Sequence, residues 1–255
     1  DGTEAEVTRS TFQYETDQYS QELRLASNGL DGWSWLLGGF FLDEDKSGVL
    51  GLGRATHPTL GQASFIIPND DTAESLAVFG QLTYDVSDAI TLTVGARYSD
   101  ETKDDITSVG AIFGDFRGLA AVGNVVQFSS RTEKASYDEF TPRFGIEFRP
   151  DEDNLFYASV SKGFKSGGWN AFDASPSFEP ETLWSYEIGS KSDLADGRVR
   201  LNTSAFYYDY KNLQVSAFKD GLTVTTNAAE ATVWGLEADL SMRASDQFTI
   251  NASAA

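Results

Sequence analysis

Side chains able to carry chemistry are few in this chain, and their spacing does not assemble a catalyst. The single histidine, His57, stands before Pro58. A Ser-His-Asp triad would have to use it, yet no Gly-x-Ser-x-Gly elbow is present to offer the nucleophile, so His57 reads as an exposed loop histidine. Cysteine is absent, which removes thiol catalysis, thiolate metal sites and disulfide frameworks. The acidic runs Asp43–Asp45, Asp70–Asp71 and Asp104–Asp105 lack the alternating oxygen ligands and glycine of a calcium loop, and read as solvated charges. GFKSGGWN from Gly163 is glycine-rich, but no Gly-Lys-Ser/Thr follows at phosphate-loop spacing. The chain is therefore expected to hold no catalytic residue, no metal site and no cofactor.

Binding is the chemistry that remains. Trp169 and Asn170 set a stacking face beside an amide, a pairing suited to sugars, chelates and peptides. Arg97 and Arg143 each sit on the polar side of an alternating segment, where they could attract an anionic ligand or form ion pairs within a water-filled interior. These four residues are the candidate ligand contacts.

The surrounding composition narrows what could position them. Asp+Glu 39 against Lys+Arg 19 gives a formal charge of -20, which repels phosphate backbones and makes nucleic acid a poor partner. Hydrophobic residues are 40% of the chain and the mean hydropathy is -0.31, and no run approaches the roughly 18 apolar residues of a membrane helix. A β-barrel stays open, because its strands show only alternate residues to lipid.

Apolar matches at period two pick out about ten strands, whereas helical spacing is scarcely met. They are expected near Tyr19–Ser27, Trp33–Leu42, Leu76–Val86, Ile90–Glu101, Phe140–Arg149, Leu155–Phe164, Glu181–Lys191, Val199–Phe218, Val224–Arg243 with an interruption, and Phe248–Ala254. In Ile90–Glu101, the residues Ile90, Leu92, Val94, Ala96 and Tyr98 share one face and Thr91, Thr93, Gly95, Arg97 and Ser99 the other. The first half of the ninth segment could belong to a loop that closes on the eighth. Tight turns at Asn28–Gly32, Ser87–Ala89, Asp151–Asn154, Ala195–Arg198 and Ala244–Gln247 alternate with long loops at Asp43–Ser75, Thr102–Glu139 and Lys165–Pro180. Short turns at one end and long loops at the other describe an all-β, antiparallel up-and-down transmembrane barrel with periplasmic and extracellular rims. Tyr84, Tyr98, Trp184, Tyr186 and Tyr207 fall on the apolar register as girdle candidates.

At this level of detail the chain resembles a family, the TonB-dependent outer-membrane receptors of the iron-complex type. YSQELRLAS from Tyr19 with WSWLLGGFF from Trp33 resembles its early barrel, and AVFGQLTYDVSDAITLTVGARYS from Ala77 resembles its hairpin pattern. TPRFGIEFRP from Thr141, SKGFKSGGWN from Ser161, FEPETLWSYEIGSKSD from Phe178 and VWGLEADLS from Val233 follow in the family's order. The resemblance implies that residues 1–255 are part of a barrel of about 22 strands, with the N-terminal plug and the closing C-terminal strand missing from this stretch. It implies energy-coupled uptake of a scarce nutrient, a ferric siderophore or similar large ligand, at the bacterial outer membrane. Implied partners are outer-membrane lipid, a small-molecule ligand such as a metal chelate, and the parent's own plug and TonB complex. A passive porin-like channel and an outer-membrane enzyme on a small barrel are the alternatives. As a piece of a wall with two uncovered edges, the chain expressed alone is expected in inclusion bodies or dependent on detergent. A soluble monomer that unfolds cooperatively without detergent would instead point to a β-sandwich.

Overall fold

The computed structural model describes residues 10–27, 29, 32–57, 61–113, 125–170, 177–219, 222–228 and 230–255. Its strands are β1 (Ser10–Ala26), β2 (Trp33–His57), β3 (Gly61–Ser87), β4 (Ile90–Phe113), β5 (Val125–Phe148) and β6 (Asn154–Lys165), then β7 (Glu181–Leu194), β8 (Val199–Lys211), β9 (Gln214–Lys219), β10 (Leu222–Asn227), β11 (Glu230–Ser245) and β12 (Phe248–Ala254). β1 to β8, then β11 and β12, form one sheet of sequential neighbours with β1 and β12 at its edges, while β9 and β10 pair only with each other. Every pairing is antiparallel. Among the described residues no helix occurs.

Four of the tight turns, Ser87–Ala89, Asp151–Asn154, Ala195–Arg198 and Ala244–Gln247, lie where the sequence puts them, while most of Asn28–Gly32 lies outside the described residues; Ala195, Asp196 and Gly197 all take positive φ in theirs, as the right-handed twist of a close hairpin favours. The long connections differ from expectation. The described parts of Asp43–Ser75 and Thr102–Glu139 are strand and not loop: β2 and β3 stay paired from Asp43↔Glu74 to His57↔Gly61, and β4 and β5 from Thr102↔Ser136 to Ile112↔Val125; residues 58–60 and 114–124, and 171–176 of the expected loop Lys165–Pro180, lie outside the described residues. His57 thus ends a strand. These stretches keep alternating in polar residues, so a hydropathy count misses them although the ladder continues above the membrane. The eighth expected strand also breaks, since β8 stops at Lys211, Asn212 takes φ 54° and β9 begins two residues later. As the ninth segment allowed, its first half folds back on β9 as β10.

Buried apolar side chains are few: among the described residues only Ile66, Ile67 and Ala77 form a core. The accessible surface is 16944 Å², against about 11,000 Å² for a compact soluble monomer of this mass. Alternate residues carry the excess. Leu76, Val78, Leu92, Val94, Tyr98 and Phe144 are exposed on one face, while Thr93, Gly95, Arg97 and Ser99 on the other are shielded by the curl of the sheet. An exposed apolar face this large is a lipid-facing face. Trp33 against Tyr84, ring centroids 4.0 Å apart, marks the turn end of the apolar band, and Tyr98 opposite Phe140 lies at its far end.

Strand lengths of 24 to 27 residues in β2 to β5 exceed the about 9–11 needed to cross a bilayer, so this side of the wall projects far above it. β6, β7 and β8 have 12, 14 and 13 residues. Pro142 marks where the two sides part. β6 pairs with β5 only between Arg143↔Ser161 and Phe148↔Phe156, and the next residue up, Pro142, has no N–H to give β6. The Lys162–Glu139 ion pair, 2.6 Å, bridges the gap above it.

On the inner face, rings lie over glycines of neighbouring strands. A Cβ on Gly38 would sit 2.3 Å from the Phe79 ring, one on Gly189 2.6 Å from Tyr157, and one on Gly235 2.8 Å from Phe206. Tyr157 also donates its hydroxyl to Glu187 at 2.6 Å, which pins the ring flat.

The register makes a direct prediction for the full-length receptor. Arg at a lipid-facing midplane position costs roughly 2–4 kcal/mol, whereas an inner position tolerates it. Val94→Arg is expected to reduce the heat-modifiable folded band and Thr93→Arg to leave it unchanged; equal tolerance would reverse the assignment of faces.

Candidate functional site

Above the apolar band, the inner faces of β2, β3 and β4 meet the segment after β6 and the β9–β10 hairpin around a cavity of about 800 Å³. Tyr14, Trp169 and Phe178 supply its ring surfaces, and Lys46, Lys103 and Lys165 its cations. Two of these lysines are held by neighbours. Lys103 Nζ donates to Ser166 Oγ at 2.6 Å and to the Gly167 carbonyl at 3.2 Å, and lies 3.0 Å from Glu101. Lys46 lies 3.5 Å from Glu44. Ser166 in turn donates to Glu101 at 2.7 Å, so the segment after β6 is fastened to β4.

The glycines of that segment permit the fastening. Gly168 and Phe178 exchange backbone hydrogen bonds of 3.0 and 2.9 Å, closing the base of the loop. A Cβ on Gly167 would meet the Phe178 carbonyl at 2.5 Å and the Tyr137 hydroxyl at 2.8 Å. Backbone therefore packs where a side chain would otherwise stand, and Trp169 is left lining the cavity.

On the opposite wall Asp71 and Asp105 are cross-strand partners. Asp105 is buried and accepts from Arg131 Nε at 3.1 Å, Arg131 Nη2 at 2.6 Å and Thr107 Oγ1 at 2.9 Å. Asp71 accepts from Asn69 Nδ2 at 2.8 Å. Burial, then a hydrogen bond to Asp105 and that residue's charge, raise Asp71 from its ordinary 3.8 to about 6, while Asn69 and Lys46 pull the other way. A proton on Asp71 replaces repulsion from Asp105 with a hydrogen bond to it.

The candidate contacts named from sequence divide between levels. Trp169 borders the cavity. Asn170 is buried beside it, and its amide meets both backbone groups of Thr225, Nδ2 donating to the carbonyl at 2.8 Å and Oδ1 accepting from the N–H at 2.7 Å. Arg97 and Arg143 share the inner face below the cavity and do not line it. The Arg97 guanidinium lies over the Phe40 and Phe79 rings at 5.3 and 5.7 Å, with Nε donating to Ser99 at 2.8 Å, and Arg143 stands opposite Gly95. Asp71 and Asp105, which read as solvated charges from the sequence, are instead drawn into the wall, Asp105 being buried, and sequence reasoning missed Lys103, Arg131 and Gln214. Alternation carried on through the supposed loops would have found the first four: Asp71 and Asp105 point inward, whereas Asp104 meets Lys134 at 3.2 Å.

Comparison with known proteins settles the architecture. The family described as TonB dependent receptor-like, beta-barrel, matches residues 2–255. The chain belongs to that family. Its members are transport receptors of the bacterial outer membrane. The pesticin receptor of Yersinia enterocolitica is 26% identical over 180 residues, covering 68% of this chain and 24% of that protein. The metal-pseudopaline receptor CntO of Pseudomonas aeruginosa is 26% identical over 182 residues, covering 71% and 24%. The chain thus spans about a quarter of these relatives' length. Among solved structures, the ferric yersiniabactin uptake receptor FyuA from Yersinia pestis superposes with a TM-score of 0.73 at 21% identity, covering 94% of this chain and 34% of that one. The siderophore receptor PiuA from Acinetobacter baumannii gives 0.53 at 15% identity, covering 94% and 47%. Both share the fold.

In this TonB-dependent receptor wall the raised pKa of Asp71 has a testable sign. A carboxyl whose folded value is raised contributes stability that is complete below about 3.8 and is lost as pH rises through about 6. Hydrogen exchange around Asp71 and Asp105 in the intact receptor, corrected for intrinsic rates, is expected to be slower at pH 4.5 than at pH 7. Asp71→Asn, which keeps a donor for Asp105 without the charge, should abolish the difference; a pH effect that survives the substitution would place it elsewhere.

Proposed function

We propose that this chain is part of the wall of a receptor that captures a metal chelate of the ferric siderophore type at the cell surface and imports it by energy-coupled transport. The observation that carries the reading is the cavity above the membrane, about 800 Å³ in size and lined by Tyr14, Trp169 and Phe178 between charged groups held in place. Volumes of about 300–1,000 Å³ with apolar rings and a few fixed polar groups suit ligands of chelate size. The relatives' names support the ligand class: one is a metal-pseudopaline receptor, and one solved neighbour takes up ferric yersiniabactin.

In this reading the receptor also contains a plug domain, and a TonB complex supplies energy from the inner membrane. Outer-membrane lipid covers the apolar face, and no catalytic step is involved. Trp169 is the principal ligand contact, and Asn170, its amide engaged by Thr225, supports it from beside. Arg97 and Arg143, lower on the inner face, meet the plug or the ligand during passage.

Growth under starvation for iron and other candidate nutrients identifies the ligand, after which affinity and surface level are compared for wild type and Trp169→Ala. An aromatic anchor in a desolvated pocket is worth more than about 1 kcal/mol, so affinity is expected to fall by roughly tenfold at unchanged surface level. Unchanged affinity, or a fall only in folded receptor, would leave the ring with a packing role.

A further inference from the structure

The segment after β6 and the β9–β10 hairpin are separate in sequence, yet each reaches across to the other with an asparagine. Asn170, before the hairpin, pairs with both backbone groups of Thr225 at 2.8 and 2.7 Å. Asn227, at the end of β10, does the same to Glu179: Oδ1 accepts from the Glu179 N–H at 2.7 Å and Nδ2 donates to its carbonyl at 2.9 Å. Asn227 Nδ2 also donates to the Asn212 carbonyl at 2.8 Å. A carboxamide carries the same donor and acceptor as a peptide group, so each asparagine acts as one residue of an added strand. Gln214 completes the seam, its Nε2 donating to the carbonyls of Ser166 at 2.9 Å and Glu179 at 3.1 Å.

Thr225 is on the free edge of a two-stranded hairpin, and its side chain meets Ser216 at 2.9 Å. An isolated hairpin of this length is marginal in water, and its outer edge would stay open to solvent without the Asn170 amide. Ser216 and Thr225 line the same cavity as Trp169. The hairpin's order and the placement of the tryptophan are thereby joined.

We propose that Asn170 and Asn227 are positioning residues that join the segment after β6 and the β9–β10 hairpin into one recognition element, in which Trp169 is held over the cavity by the hairpin. The role in ligand capture rests on the function proposed above, whereas the mechanical link does not. Asn170 thus acts on the ligand through Trp169, and the hairpin, although it adds no strand to the barrel, belongs to the binding wall.

Hydrogen exchange on the full-length receptor in detergent tests the link, with uptake of ferric yersiniabactin as the functional probe, both at matched surface level. In Asn170→Ala the Thr225 amide is expected to exchange roughly tenfold faster, as for one lost hydrogen bond. Residues 166–170 and 177–179 should speed up with it while β6 and β7 do not. Asn227→Ala should reproduce the pattern from the other side, and Asn170→Asp, which keeps the acceptor for Thr225 N–H, should give a smaller change. Faster exchange in one segment alone, or in neither, overturns the link. Uptake in Asn170→Ala should fall as far as in Trp169→Ala, and the double variant no further. A fall in Trp169→Ala alone overturns the positioning role and leaves capture standing. Coupled exchange with uptake unchanged in both variants overturns capture and leaves the link.

Discussion

Hydrocarbon offers no partner for a peptide N–H or C=O, and this one constraint organises the chain. Every strand of the sheet that lies within the apolar band is zipped to a sequential neighbour, and hairpins are the shortest way to achieve that. Once the ladder is fixed, side chains have only two directions, outward to lipid or inward to water. Val94 and Thr93 differ in fate because they differ by one position. The same ladder continues above the membrane, where water no longer requires it, and raises β2 to β5 into a tall panel. Pro142 withholds one N–H and so lets the low side of the wall separate from the high side, which opens the space that the segment after β6 fills.

The polar chemistry on the inner side is largely committed to the protein itself. Lys103 holds Ser166 and Gly167, Arg131 holds Asp105, and Arg97 rests against two rings. Fixed charges of this kind cost little reorganisation when a ligand arrives. In a chain with a formal charge of -20, the cavity still gathers Lys46, Lys103 and Lys165 beside Glu44, Asp71 and Asp105. The overall charge describes the chain; the site answers to its own neighbours.

Much of the fold was legible in the sequence because lipid imposes a strict alternation of greasy and polar residues, as Ile90–Glu101 displays. Turn chemistry at Ala195–Arg198 was legible for the same local reason. The panel above the membrane was not, since residues such as Asp70, Asp71, Thr72 and Ala73 alternate in direction without alternating in hydropathy. Trp169 stood out as a large ring in a glycine-rich stretch, and it does border the cavity. What Asn170 touches could not be read, because Thr225 lies 55 residues away and an amide looks alike whether it meets a ligand or a peptide group. The paired asparagines, like Asp71 with Asp105, acquire meaning only when distant segments are brought to the same height.

The glycines beneath inner-face rings carry a consequence for the clearance in front of this wall. A ring seated on a bare Cα lies against the wall, as Tyr157 does on Gly189 and Phe206 on Gly235, and so takes up little of the bore. A methyl group at Gly235 would displace the Phe206 ring, and one at Gly189 would meet both the Tyr157 ring and the Thr203 carbonyl at 2.6 Å. In the receptor proposed above, clearance is therefore governed by glycines that lie behind the rings. Glycine at these positions acts as a gauge: it lets the passage be both aromatic and wide.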